Sequence, residues 1–278
     1  MGAELMQKGG MFISALWYIK RAVIFNEDML GLSIIGLVGL VLAKRFPTGR
    51  IVGGREVSPA FKYPWITALV YSDEPMCGGT VYNSKSIITA AHCNFGENRD
   101  WGAKFNRHDL SLTDKEEGGF SSKILARYAH PEYNLEEGNA FDVAVWRVKK
   151  APETTIAFDN GFFTAKSTLL TVIGWGDTHK NGLPSSSLLE VDIPVFELGK
   201  CTKIYPSLHY KSQFCAGYPE GGIDSCQGDS GGPIIKKGPN GYTLVGVVSW
   251  GIGCADPGHP GVYTRIHQVK DFIINHSK

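Results

Sequence analysis

DSCQGDSGGP, Asp224–Pro233, is the stretch on which the reading of this chain turns. It places Asp224, Asp229 and Ser230 among three glycines and leads into an apolar, strand-like run. Glycines beside a serine let the backbone bend tightly and leave amide N–H groups unshielded. The bland reading is a glycine-rich turn. The sharper one is a serine presented for chemistry, and it needs partners elsewhere in the chain.

Two other stretches supply them. TAAHC (Thr89–Cys93) follows the strand-like SIITA (Ser86–Ala90), so His92 comes just after a strand end, where a side chain can face a cleft. FDVAVWRV (Phe141–Val148) puts Asp142 at the start of an apolar strand. Alone, His92 reads as a surface or core histidine and Asp142 as a turn residue. Together with Ser230 they form a set. A serine hydroxyl is a weak nucleophile and needs a base to take its proton. Histidine is neutral near pH 7 and can do so. A buried carboxylate holds its other ring nitrogen in the donor tautomer.

Around these motifs the chain from Ile51 to Lys278 alternates short strands with Gly, Pro, Asn and Asp turns. Strand-like runs are Pro64–Tyr71, Ser86–Ala90, Asp142–Val148, Leu188–Phe196, Tyr242–Trp250 and Gly261–Ile266. In the fourth, Leu189, Val191, Ile193 and Val195 alternate with mostly polar partners, the period of a half-buried strand. Only His267–Lys278 has helical spacing, through Val269, Phe272 and Ile273. The class is all-β with a C-terminal helix. An apolar content of 43% allows a real core, and a net charge of +1 argues against a nucleic-acid partner. The six cysteines, Cys77, Cys93, Cys201, Cys215, Cys226 and Cys254, include no zinc spacing. Their even number fits three disulfides in an oxidising compartment, although spacing alone leaves the pairing open.

The beginning of the chain differs. MLGLSIIGLVGLVLA (Met29–Ala43) is uncharged and shorter than the about 20 residues of a membrane span. It suits the hydrophobic region of a secretory signal, with VLA at its end as a cleavage site. The run starts far from Met1, and Glu27 and Asp28 stand where positive charge is expected. The alternatives are an uncleaved membrane anchor through residues 29–43 or a different start methionine. The expected division is signal or anchor region 1–43, propeptide 44–50 and a secreted folded domain 51–278.

IVGG (Ile51–Gly54), TAAHC, DVAV and DSCQGDSGGP, in the order His, Asp, Ser, resemble the trypsin/chymotrypsin family of serine endopeptidases. So do GWG (Gly174–Gly176) and VSWGIGCADPGHPGVYTRI (Val248–Ile266). The resemblance covers 51–278. It implies two antiparallel β-barrels with the active site between them. It also implies His92 as base, Asp142 as its orienting group, Ser230 as nucleophile and the Gly228 and Ser230 amides as oxyanion hole. Asp224 matches the acid at the base of a trypsin-like pocket, with Ser225 beside it and Gly251 and Gly261 as its walls; Ser249 and Trp250 are further substrate-binding residues. The implied specificity is for Arg or Lys before the scissile bond. Implied partners are protein or peptide substrates and protein protease inhibitors, acting on a monomer without cofactor or metal.

The resemblance further implies the pairs Cys77–Cys93, Cys201–Cys215 and Cys226–Cys254, which leave no cysteine to tether a propeptide. It makes Arg50–Ile51 an activation bond whose new amino group pairs with Asp229. Some trypsins bind calcium in a loop matching Phe105–Gly119. Arg107 stands where they carry a glutamate, and a cation there repels Ca²⁺, so this stretch is expected to be a solvated acidic loop, with a weak calcium site on Asp109, Asp114, Glu116 and Glu117 as the alternative. A catalytically silent homologue used as a binding module is the rival reading; the intact His, Asp and Ser set speaks against it.

Overall fold

The computed structural model describes residues 52–180, 182–239 and 241–278. The segments expected as signal or anchor and as propeptide, with Arg50 and Ile51, lie outside the described residues.

The strands are β1 (Arg55–Glu56), β2 (Ile66–Tyr71), β3 (Glu74–Asn83), β4 (Ser86–Thr89), β5 (Trp101–Phe105), β6 (Phe120–Ala129) and β7 (Ala144–Val148). They continue as β8 (Ala157–Phe158), β9 (Leu169–Gly174), β10 (Leu189–Pro194), β11 (Gln213–Ala216), β12 (Pro233–Gly238), β13 (Gly241–Trp250) and β14 (Gly261–Arg265). Three α-helices accompany them: α1 (Asp114–Glu117), α2 (Leu198–Ile204) and α3 (Ile266–His276). The strand-like runs of the sequence fall on β2, β4, β7, β10, β13 and β14, and the helical tail on α3.

Strands β2-β3-β4-β7-β6-β5 close into one barrel. Leu69, Val81, Ile87, Ile88, Phe105 and Trp146 are fully buried within its core cluster. The second sheet runs β1-β10-β9-β12-β13-β14-β11, with β8 beside β13. β10, next to the β1 edge, meets β11 at the other end, where Val195, just past β10, bridges Ala216 and the Gly217 amide donates to the Pro194 carbonyl at 2.9 Å. That contact completes a second barrel, packed on Leu170, Val172, Ile193, Phe214, Ile234 and Tyr263. Each buried aliphatic side chain contributes roughly 1.5–3 kcal/mol of transfer free energy.

β10 carries a surprise. Leu189, Val191 and Ile193 are buried as their alternation implies, but Glu190 between them is only 3% exposed. β1 pairs with β10, and Arg55, Lys62 and Lys237 approach the Glu190 carboxylate at 2.9, 3.0 and 3.3 Å. The Tyr63 hydroxyl donates to it as well. Burial pushes the Glu190 pKa up, but the hydrogen bonds from Tyr63 and Lys62 and the charge of Lys237 hold it below its ordinary value.

The loop Phe105–Gly119 corrects an expectation. It is solvated at Ser111–Thr113, Lys115 and Glu116, but its acids Asp114 and Glu117 are not free. Arg107 is 2% exposed, and the loop is wrapped around its guanidinium. Nε donates to Glu117 at 2.7 Å and Nη1 to Asp114 at 2.6 Å; Nη2 donates to the Asp109 and Leu112 carbonyls. The second Glu117 oxygen accepts the Asp109 amide at 2.8 Å. Carboxylate and carbonyl oxygens of the kind a calcium ion takes are thus occupied by a fixed cation, and the loop does not fit the metal. Arg107→Ala leaves Glu117 and Asp114 facing each other without it. We expect a loss of about 3–5 kcal/mol, or a Tm lower by about 10 °C. Thermal melts of the wild type should be the same with calcium or with a chelator. A chelator-sensitive wild type would contradict this assignment.

Candidate active site

His92 lies in a short 3₁₀ turn, Ala91–Cys93, that follows β4 directly. Its amide donates to Asp142 Oδ1 at 3.0 Å, and its Nδ1 lies 2.7 Å from Asp142 Oδ2. Asp142 is fully buried at the entrance to β7. The Ser249 hydroxyl donates to Oδ2 at 2.6 Å, and Thr264 Oγ1 donates to the Asp142 main-chain carbonyl at 2.8 Å. In the hydrogen bond to Asp142 Oδ2, His92 Nδ1 is the donor. Nε2 is then left as an acceptor toward solvent.

The turn that carries Ser230 crosses to this region from the second barrel. The Gly78 amide of β3 donates to the Ser230 carbonyl at 2.8 Å, and Cys77, beside it, is disulfide-bonded to Cys93. Ser230 and His92 are therefore tied to the same strand pair, although no Ser230 Oγ to His92 Nε2 hydrogen bond is formed among the described residues. Such bonds commonly tighten only when substrate is bound.

Gly228 has φ +89°, in the left-handed region that other residues enter only with strain. Among the described residues neither the Gly228 nor the Ser230 amide donates to a protein acceptor. Asp229 between them is fully buried. Its two oxygens accept the Gly176 and Cys226 amides at 2.9 and 3.0 Å. Burial pushes its pKa up to about 6, against those hydrogen bonds. A Cβ at Gly174 or Gly176 would meet the Asp229 carboxylate at 2.1 or 2.5 Å, which gives GWG a steric reason.

Beside Ser230 opens a cavity of about 190 Å³, lined among others by Asp224, Ser225, Ser249, Trp250, Gly251 and Gly261. Gly251 and Gly261 face each other, with an added Cβ on the first 3.8 Å from the second's Cα. Asp224 is 4% exposed and accepts the Ser225 amide at 2.8 Å and the Ala255 amide at 3.4 Å. Burial outweighs those bonds and raises its pKa to about 7. The Asp224 amide donates to the Val52 carbonyl at 3.4 Å, so the segment after Ile51 reaches the base of the cavity. The disulfide Cys226–Cys254 ties the two sides of the cavity together, and Cys201–Cys215 joins α2 to β11. All three pairs are those implied by the resemblance.

Ser249 stands apart from the expectation of a substrate-binding residue. It borders the cavity, but its hydroxyl is committed to Asp142. Thr264 was not legible as a site residue at all; its contact joins β14 to β7 across 122 positions, a distance no local pattern spans.

The trypsin family model matches residues 51–273, and the chain belongs to this family of serine endopeptidases. It is 38% identical over 231 residues to a trypsin of Saccharopolyspora erythraea, covering 81% of this chain and 96% of that one. It is 33% identical over 251 residues to trypsin-1 of Salmo salar, covering 88% and 97%. It also resembles transmembrane protease serine 9 of Rattus norvegicus, at 34% over 238 residues, where the match spans 81% of this chain but 22% of the rat protein.

Ser249→Ala removes a hydrogen bond to the charged Asp142, worth about 1.5–3 kcal/mol. The expected outcome is a fall in kcat/KM of at least about tenfold, with the ratio of Arg to Phe amide hydrolysis unchanged. A change in that ratio at constant overall rate would instead make Ser249 a specificity residue.

Proposed function

We propose that the chain is an endopeptidase that cleaves after Arg or Lys and is made as a zymogen. The observation that carries the specificity is Asp224, a carboxylate at the base of a glycine-walled cavity with no cationic partner among the described residues. An incoming guanidinium or ammonium group supplies the missing charge.

His92 Nε2 takes the proton of Ser230 Oγ as Oγ bonds to the scissile carbonyl carbon. The carbonyl oxygen becomes an oxyanion held by the Gly228 and Ser230 amides; one such donor is worth roughly 3–4 kcal/mol. Imidazolium, stabilised by Asp142, gives its proton to the leaving amine as the C–N bond breaks. Water, deprotonated by His92, then attacks the acyl-enzyme and releases the acid and Ser230.

Asp224→Ser should lower kcat/KM for Arg and Lys amides by about 10²–10⁴, the effect of losing one partner of a buried ion pair. Its pKa of about 7 adds a pH signature. Protonation removes the charge that a cation needs, so the affinity for benzamidine, an amidinium probe, should fall as pH drops below about 7, approaching tenfold per pH unit. An Asp224→Ser enzyme still preferring Arg, or a pH-independent benzamidine affinity between pH 5 and 8, would sink the assignment.

Activation is proposed at Arg50–Ile51. The fully buried Asp229, paired with no cation among the described residues, and Val52 docked on Asp224 support insertion of a new α-amino group at Ile51. Uncleaved protein should be inactive. Arg50→Gln should keep it so, with N-terminal sequencing showing no chain beginning at Ile51. Because Arg50 is itself a residue Asp224 would accept, purified wild-type zymogen should process itself while Ser230→Ala does not; equal processing of the two would exclude self-activation.

The folded domain is proposed to be secreted, with residues 1–43 as signal and 44–50 as propeptide. A tethered form is the second reading. It is supported by a match of 33% over 98% of this chain to transmembrane protease serine 5 of Homo sapiens. No helix among the described residues is long and apolar enough to cross a membrane.

A further inference from the structure

A net charge of +1 conceals an uneven distribution. On β6, Ser122 and Ile124 turn inward, while Lys123 and Leu125 face out. Pairing sets Ser86 of β4 opposite Arg147 of β7, and Ile124 opposite Val148. The Lys85 carbonyl accepts the Val148 amide at 3.0 Å, and the Lys123 carbonyl accepts the Lys149 amide at 3.2 Å. Three separate parts of the sequence thereby bring exposed lysines to one place. Lys85 and Lys149 border a groove of about 430 Å³ together with Leu125, Tyr128 and Arg147; Lys123 does not line it, but is exposed on the same face of β6 as Leu125. Arg147 donates to the Lys278 main-chain carbonyl. None of the three lysines pairs with a carboxylate among the described residues. Between them Leu125 is 60% and Tyr128 42% exposed.

We propose that this groove docks a protein segment in which acidic residues flank an apolar or aromatic side chain. The lysines call for anions, which they attract with a strength that falls with salt. Leu125 and Tyr128 gain only from a partner that removes apolar surface from water, which a sulfated glycan does not do. The groove is also coupled to the catalytic region. β4 begins beside it at Ser86 and ends at Thr89, three residues before His92. A protein substrate or inhibitor held here is anchored beside the strand that leads into the turn carrying His92.

The test uses the full chain, with binding followed by calorimetry at low and moderate salt. The probes are a random Glu/Tyr copolymer, poly-glutamate of equal length, and a heparin dodecasaccharide. None contains Arg or Lys. The Glu/Tyr copolymer is expected to bind at least tenfold more tightly than poly-glutamate. Lys85→Glu with Lys149→Glu should weaken that binding at least tenfold. Leu125→Ser should bring the copolymer down to the affinity of poly-glutamate. Hydrolysis of a small Arg amide should be unchanged in both variants, which also reports that they are folded. The proposal is overturned if the copolymer does not bind, or if these variants leave its affinity unchanged. It is also overturned if heparin binds more tightly than the copolymer and loses affinity in the double variant, which would make the groove a glycan site.

Discussion

The fully buried carboxylate of Asp229 is the constraint on which the working part of this protein depends. An ionised group without water needs hydrogen bonds and a countercharge. The Gly176 and Cys226 amides supply the first. Taking them forces the chain from Cys226 to Ser230 into a tight turn, with Gly228 in the left-handed region. The same turn sets the Gly228 and Ser230 amides free and puts Ser230 between the cavity and the His92 strand pair. In the proposed activation, the second requirement, a cation, links this turn to the Arg50–Ile51 bond, and a single charge pair converts a chemical event at the domain's edge into order at its centre.

Buried acids elsewhere in the molecule differ in how their charge is answered, and their chemistry follows. Asp142 is answered by hydrogen-bond donors, including His92 and Ser249, and so serves to orient a ring. Asp224 is answered incompletely, so its pKa climbs toward neutrality, and in the proposed function a cationic guest completes it. Glu190 is surrounded by Arg55, Lys62 and Lys237 and held below its ordinary pKa, a permanent tie between β1 and the second barrel. Glu117 and Asp114 are answered by Arg107, a cation built into the chain. The permanent pairs hold structure; the unanswered ones are where ligands or activation act.

Much of this was legible in the sequence because its chemistry is local. DSCQGDSGGP carries the turn, the proposed nucleophile and the proposed oxyanion donors within ten residues, and TAAHC and DVAV place His92 and Asp142 at strand edges. The cysteine pairs followed the resemblance and are formed as implied. What the sequence did not disclose depends on long-range pairing. Ser249 and Thr264 reach Asp142 from β13 and β14. Glu190 looks like a solvent-facing residue of an alternating strand until β1 covers it. Arg107 has the spacing of a loop that repels a metal, but only the folded loop reveals that its guanidinium takes up the Asp114 and Glu117 carboxylates.

The central claim is that Ser230 is a nucleophile beside a cation-specific cavity and is competent only after cleavage at Arg50–Ile51. Its most direct measurement is intact-mass and peptide mapping after reaction with an arginine-derived diphenyl phosphonate and its phenylalanine counterpart, before and after that cleavage. The account predicts a single adduct on Ser230, formed by the arginine reagent, in the cleaved protein alone. An adduct on another residue, equal labelling of uncleaved protein, or faster reaction with the phenylalanine reagent would contradict it.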